Sequence, residues 1–155
     1  MRIRRSLVTL AVAGLGLTGL AASASAGTKA ATEHILLLQT SVTGSPTVIA
    51  NGPIHARGKD VVVSNTKDRF VFPRGSVTVV HHTAPGSSRS SFDPVTCLTR
   101  QSERGTYRVT HGTGAYDDAT GSGRYRSSVF VVGCSQTRKP SVFILKVSAS
   151  GPLSL

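Results

Sequence analysis

Gly112-Thr113-Gly114-Ala115-Tyr116-Asp117-Asp118-Ala119-Thr120-Gly121-Ser122-Gly123-Arg124-Tyr125 places four glycines and two tyrosines in fourteen residues, between two strand-like runs. Two Gly-x-Gly units frame a segment long enough for one helical turn. Glycine at this density marks backbone that takes positive φ or passes close to another chain segment. The stretch therefore speaks first to architecture.

Working outward, the pattern is β throughout. Apolar runs from His34 to Val42 and from Thr47 to Ala50 are separated by Gly44-Ser45-Pro46. After Asn51-Gly52-Pro53, Ile54 to Arg57 and Lys59 to Ser64 flank Gly58, which predicts a strand bulged or bent at that glycine. Asn65 to Asp68 reads as a polar turn, and Arg69 to Phe72 as a short strand stopped by Pro73-Arg74-Gly75. Ser76 to Thr83 alternates as a strand does. Ala84 to Pro94, rich in Ser, Gly and Pro, reads as a mobile loop. Val95 to Ser102 and Gly105 to Thr110 predict a hairpin that turns at Glu103-Arg104. Arg124 to Val132 and Ser141 to Ser148, joined by Gly133 to Pro140, complete the strands. No ten-residue window carries a helical stripe, and short strands with regular turn signals predict a sandwich or barrel. Gly27 to Glu33 and Gly151 to Leu155 are expected to be loose ends.

The beginning of the chain reads differently. Arg2, Arg4 and Arg5 precede an apolar run from Leu7 to Ala22, and Ala24-Ser25-Ala26 is a small-x-small cleavage signal. Residues 1–26 are thus expected to be a secretory signal peptide, and 27–155 the mature domain, exported by general secretion or the twin-arginine route. The apolar run is too short for a membrane span, so none is expected in the mature chain. Cys97 and Cys134 are the only cysteines, and in an exported protein such a pair predicts one disulfide. Without the leader, 15 Lys and Arg face 7 Asp and Glu, a net charge of +8. That balance favours anionic partners such as cell-wall polymers. The basic residues are scattered, aromatics are few and there is no Trp, so no specific nucleic acid is expected.

Gly105-Thr106-Tyr107, Gly112-Thr113-Gly114-Ala115-Tyr116 and Ala119-Thr120-Gly121-Ser122-Gly123-Arg124-Tyr125 together resemble the signature of the allene oxide cyclase-like and dirigent-like β-barrel superfamily. Secreted bacterial members carry a similar Gly-Thr-Gly-x-Tyr-x-x-Ala-x-Gly-x-Gly pattern. Gly52-Pro53-Ile54-His55-Ala56-Arg57-Gly58 and Phe70-Val71-Phe72-Pro73-Arg74-Gly75-Ser76 fit it too, so the resemblance runs from about Ile35 to Val147. It implies an all-β, closed eight-stranded antiparallel barrel with a short Gly-rich connection. Gly112, Gly114, Tyr116, Gly121 and Gly123 are its fold-motif residues. It also implies a shaped cavity that takes a small apolar molecule and guides its cyclisation or coupling, isomerase-like and without a cofactor. A homodimer or homotrimer is implied as well. The acidic residues that plant members use find no match here, and Asp117 and Asp118 suit a turn or helix start.

Candidate chemistry centres on histidine. Neighbours on a strand face opposite ways, so only one of His81 and His82 enters a barrel, and His81 shares a face with Val77 and Val79. His81, His111 and Glu103 are the catalytic candidates, as acids or bases near neutral pH. His55, Tyr107 and Tyr125 are the ligand-binding candidates. Arg100, Glu103, Arg108 and His111 with His81 also form the inventory of a small secreted ribonuclease, although Glu103 falls in a predicted turn. No metal-ligand spacing and no Gly-x-Ser-x-Gly elbow occurs. Arg124 and Arg126 alternate with Tyr125, as an anionic rim or a solvent face. Two readings follow. One is a cavity protein for a small apolar molecule. The other is a non-enzymatic extracellular protein whose basic surface binds anionic polymers.

Overall fold

The computed structural model, which describes residues 29–135 and 137–155, has nine strands, most of them with a period-two alternation of buried and exposed side chains. They are β1 (Ala31–Gln39), β2 (Thr47–Asn51), β3 (His55–Ser64), β4 (Lys67–Phe72), β5 (Gly75–Thr83), β6 (Arg89–Asp93), β7 (Leu98–Gly114), β8 (Thr120–Val132) and β9 (Val142–Ser154). All pair antiparallel in one sheet, ordered β5-β4-β3-β2-β1-β9-β8-β7-β6. A further pairing of β5 with β7 closes eight of them into a barrel and leaves β6 as an extra strand on its rim. The barrel expected from the sequence is thus present. The expected leader, residues 1–26, lies outside the described residues.

The inward side chains follow strand parity. Glu33, Ile35 and Leu37 on β1, Val48 and Ala50 on β2, Phe70 and Phe72 on β4, Val77 and Val79 on β5 and Tyr107 on β7 all turn inside. At the end where β1 begins and β9 finishes, Ile54, Phe72, Tyr116, Ala119 and Leu153 are buried together and fill the barrel. Tyr116 meets Phe72 edge to face, ring centres 5.8 Å apart. Such a pair contributes about 1 kcal/mol beyond its buried area. The Gly-rich stretch makes this plug. Gly114 takes φ +64°, and successive short-range bonds (Tyr116 N to Thr113 O, 3.2 Å; Ala119 N to Tyr116 O, 3.0 Å) fold the β7–β8 connection under the barrel.

Two glycines farther along serve close approach rather than unusual φ. Tyr107 faces Gly123, and Tyr125 faces Gly105, in the β7–β8 register. A Cβ on Gly105 would stand 2.6 Å from Cε1 of Tyr125, and one on Gly123 would stand 2.6 Å from Cε1 of Tyr107. Each ring lies over the opposing glycine, which lets two large aromatics occupy the interior.

Several sequence expectations are corrected. Glu103-Arg104 is no turn: β7 runs straight through it for 17 residues. Its whole first two-thirds pairs with β8, while its other edge is shared in turn by β6 and β5. Where the partner changes, Ser87 Oγ donates to Arg104 O (2.8 Å) and accepts from Arg104 N (3.3 Å). The backbone is thereby satisfied without a turn. Ala84 to Pro94 is accordingly not all loop, because Arg89–Asp93 is β6. Val95 belongs to the turn before β7, where Asp93 Oδ1 accepts from Val95 N at 2.9 Å. Asn65 to Asp68 is a turn only at its first two residues, since Lys67 already begins β4. Gly58 stays in register opposite Val48, and the irregularity falls between Val62 and Ser64. The first strand ends at Gln39 rather than Val42. Over the described residues neither expected loose end is loose: Glu33 is fully buried, and Leu153 pairs with both Ala31 and Gly121.

The expected disulfide is formed. Cys97 and Cys134 lie just beyond the paired ends of β7 and β8, with Cα atoms 4.9 Å apart.

Candidate functional site

Toward the other end of the barrel the interior is not filled. Ile35, Val129, Leu145, Val147 and Ala149 point inward yet remain only half-buried. They border a cavity of about 600 Å³ together with Leu37, Phe70, Val79 and Tyr107. That volume suits a small organic ligand. Ser90 of β6 and Gln101 of β7 stand at its rim, so the extra strand raises one side of the mouth.

One arc of the wall is polar. Asp68 on β4, His81 on β5, Glu103 on β7 and Tyr125 on β8 all line the cavity. His81 Nε2 stands 3.2 Å from Asp68 Oδ2, and this is the sole side-chain ion pair among the described residues. The His81 ring meets Tyr125 edge to face, with centres 5.8 Å apart. The Tyr125 hydroxyl donates to Glu103 Oε1 at 3.0 Å and lies 3.1 Å from Thr83 Oγ1. Thr83 Oγ1 also donates to Glu103 Oε2 at 3.4 Å. Four strands thus contribute a continuous acid, imidazole, phenol and acid.

Burial sets the electrostatics. It raises the Asp68 carboxyl, while the neighbouring His81 pulls the other way. It raises the Tyr125 phenol too, opposed by the Thr83 hydroxyl and reinforced by Glu103, so the phenol holds its proton as a donor. Deeper on β3, Asp60 is 4 % exposed and its Oδ1 has no partner within the protein. Burial, with the charge of Asp68 second, pushes its carboxyl up to about 7 against a bond from Val61 N–H. Glu33 is a separate case near the filled end. Its Oε2 accepts from Ile54 N at 2.7 Å, and burial raises its pKa. An unpaired carboxylate is costly in such surroundings, so neutral forms are favoured.

No family model, curated protein or solved structure matches the chain.

Of the residues singled out from sequence, His81, Glu103, Tyr107 and Tyr125 converge on the cavity. His55 does not: it is exposed at the start of β3, with Nδ1 3.2 Å from Asn51 Oδ1. His111 is exposed opposite Thr78 on the outer face, displaced by a register shift in β5–β7 pairing. Arg100 and Arg108 are exposed as well, so the ribonuclease inventory is dispersed. His82 faces out as parity requires. Asp117 Oδ1 accepts from Asp118 N at 3.1 Å within the turn. Asp60, Asp68 and Thr83 went unrecognised in the sequence. Asp68 continues the inward set Phe72 and Phe70 backward by one step, a signal hidden by reading Asn65 to Asp68 as turn. Among the described residues no group of three or more His, Cys, Asp or Glu is placed to hold a metal ion. No helix among them is long and apolar enough to cross a membrane.

Proposed function

We propose that this chain is a secreted barrel of the allene oxide cyclase-like and dirigent-like type. It binds a small, mainly apolar molecule carrying one polar end and guides its cyclisation or isomerisation. The observation that carries this reading is the cavity of about 600 Å³, which sets a largely apolar wall against the Asp68–His81–Tyr125–Glu103 arc, with Arg89, Ser90 and Gln101 also lining it. The apolar wall would take the hydrocarbon part by exclusion of water. The arc would face the polar end. There the Tyr125 phenol, by turning its single O–H away from Glu103, can donate a hydrogen bond to an oxygen that gains negative charge, and the Asp68–His81 pair can exchange a proton with the neighbouring carbon or hydroxyl. A barrel wall that restricts the conformations of a flexible chain lowers the entropic part of a ring-closing barrier. The disulfide supports export, because such bonds persist in oxidising compartments.

Titration with the neutral fluorophore N-phenyl-1-naphthylamine tests the reading. Saturable binding at one probe per chain is expected. Val147→Phe fills the apolar wall, and a CH₂-by-CH₂ loss of space should weaken the probe by about tenfold or more. Unchanged binding in a folded Val147→Phe protein places the probe elsewhere and overturns the reading.

A further inference from the structure

The barrel sorts its charges by face. Four of the seven acidic residues, Glu33, Asp60, Asp68 and Glu103, turn inward. The outer faces of the strands are left to cations, and one place concentrates them in a concavity. On the outside of β7, β8, β9 and β1 lies a groove of about 540 Å³. Its floor consists of two neighbouring cross-strand rows. One runs Arg104, Arg126 and Ser148, and the next runs Thr106, Arg124, Ser150 and His34. All seven side chains are exposed, and no carboxylate lines the groove.

The row Arg104–Arg126 sets two guanidinium groups directly opposite each other in the register. Like charges so placed repel and destabilise a sheet. None of the three arginines has an ion-pair partner among the described residues. Small neighbours (Ser148, Ser150, Gly105 and Ala149) leave the space above them open. The cations in the groove are Arg rather than Lys, and the planar guanidinium fork binds phosphate oxygens two at a time. Ser and Thr hydroxyls supply further donors for a tetrahedral oxyanion. Arg124 and Arg126 stand ~7 Å apart along β8, so a ligand bearing two or more anionic groups in sequence engages both rows.

We infer that this outer groove is a binding site for a linear phosphate-bearing polymer, held by Arg104, Arg126 and Arg124 across β7 and β8. It lies on the outer face of the wall, sharing only Tyr125 and Ala149 with the cavity lining, and does not depend on the function proposed for the cavity. It would tether the barrel to a polyanionic matrix while leaving the mouth free.

The test uses the mature protein and a defined-length inorganic polyphosphate, followed by isothermal titration calorimetry at two salt concentrations. Arg104→Ser with Arg126→Ser should weaken binding about tenfold or more, as expected for lost charge-assisted, two-pronged contacts. Arg57→Ser with Arg69→Ser removes the same charge from exposed positions outside the groove, and should change affinity by less than about twofold. All four positions are exposed, and thermal melts confirm that both proteins fold. Without polyphosphate the groove variant should melt no lower than the parent, because a repulsive pair has gone. Equal losses in the two double variants would reduce the effect to net charge and overturn the site. Tighter binding of polyglutamate than of polyphosphate would overturn the phosphate assignment.

Discussion

Asp60 gives the sharpest energetic prediction. Its carboxyl is 4 % exposed, lacks a partner at Oδ1 and is pushed up to about 7 by burial, then by Asp68. In the unfolded chain the same group titrates near 3.8. Between those values the folded protein holds a proton that the unfolded chain has released. Stability from this group is therefore fully present below about pH 4, and is lost progressively as pH rises to about 7. A span of about three pH units at about 1.4 kcal/mol each sets a ceiling of ~4 kcal/mol. Asp60→Asn keeps the shape of the neutral acid at every pH. Relative to the parent, it should change stability little at pH 4 and raise it by up to ~4 kcal/mol at pH 8. Urea unfolding at pH 4, 6 and 8 with the disulfide intact reads this difference, and the parent–variant subtraction removes the parallel titration of Glu33. An effect of the same size at pH 4 and pH 8, or a net loss at pH 8, refutes the reasoning.

Three further outcomes rest on the disulfide, Gly105 and Tyr125. Replacing Cys97 and Cys134 together by Ser should lower stability by roughly 3–4 kcal/mol, the chain-entropy value for the loop that the bond closes, and thiol labelling of the denatured, unreduced parent should find no free Cys. Gly105→Ala sets a methyl 2.6 Å from the Tyr125 ring and against His82 O; it should cost about 2–3 kcal/mol and shift the Tyr125 ring resonances, whereas a neutral result would mean the ring does not lie over the glycine. Tyr125→Phe removes the hydroxyl between Thr83 and Glu103; a loss of about 1 kcal/mol is expected in thermal unfolding, with retained uptake of a neutral apolar probe.

Legibility followed the local signal. β5 could be read because Val77 and Val79 alternate with Ser76 and Thr78, and the end of β8 because Val129 to Val132 is a run of β-branched and aromatic residues. β6 could not, because Arg89–Asp93 is exposed along its length and carries no alternation. It exists because the free edge of β7 needs hydrogen-bond partners once β5 has ended. The same long-range demand carries β7 through Glu103-Arg104-Gly105, a stretch whose composition suggests a turn. At the site, His81 was legible from its parity with Val77 and Val79. Glu103 and Tyr125 were noticed singly, but nothing local joins them. Their contact depends on the β7–β8 register, and that of His81 with Asp68 on β4–β5 pairing. The exposed positions of His55 and His111 likewise depend on pairing rather than on residue type.

If the half of the barrel opposite the Tyr116 plug is a ligand chamber, as proposed, the folded protein holds an occupant or has room for one. Native mass spectrometry of the protein purified from its host without organic solvent, alongside a denatured sample of the same material, reads that occupancy. One small, mainly apolar molecule per chain is expected, or uptake of one N-phenyl-1-naphthylamine per chain when the chamber is empty, and neither in the folded Val147→Phe protein. A folded parent that carries nothing and takes up no probe contradicts the proposed chamber.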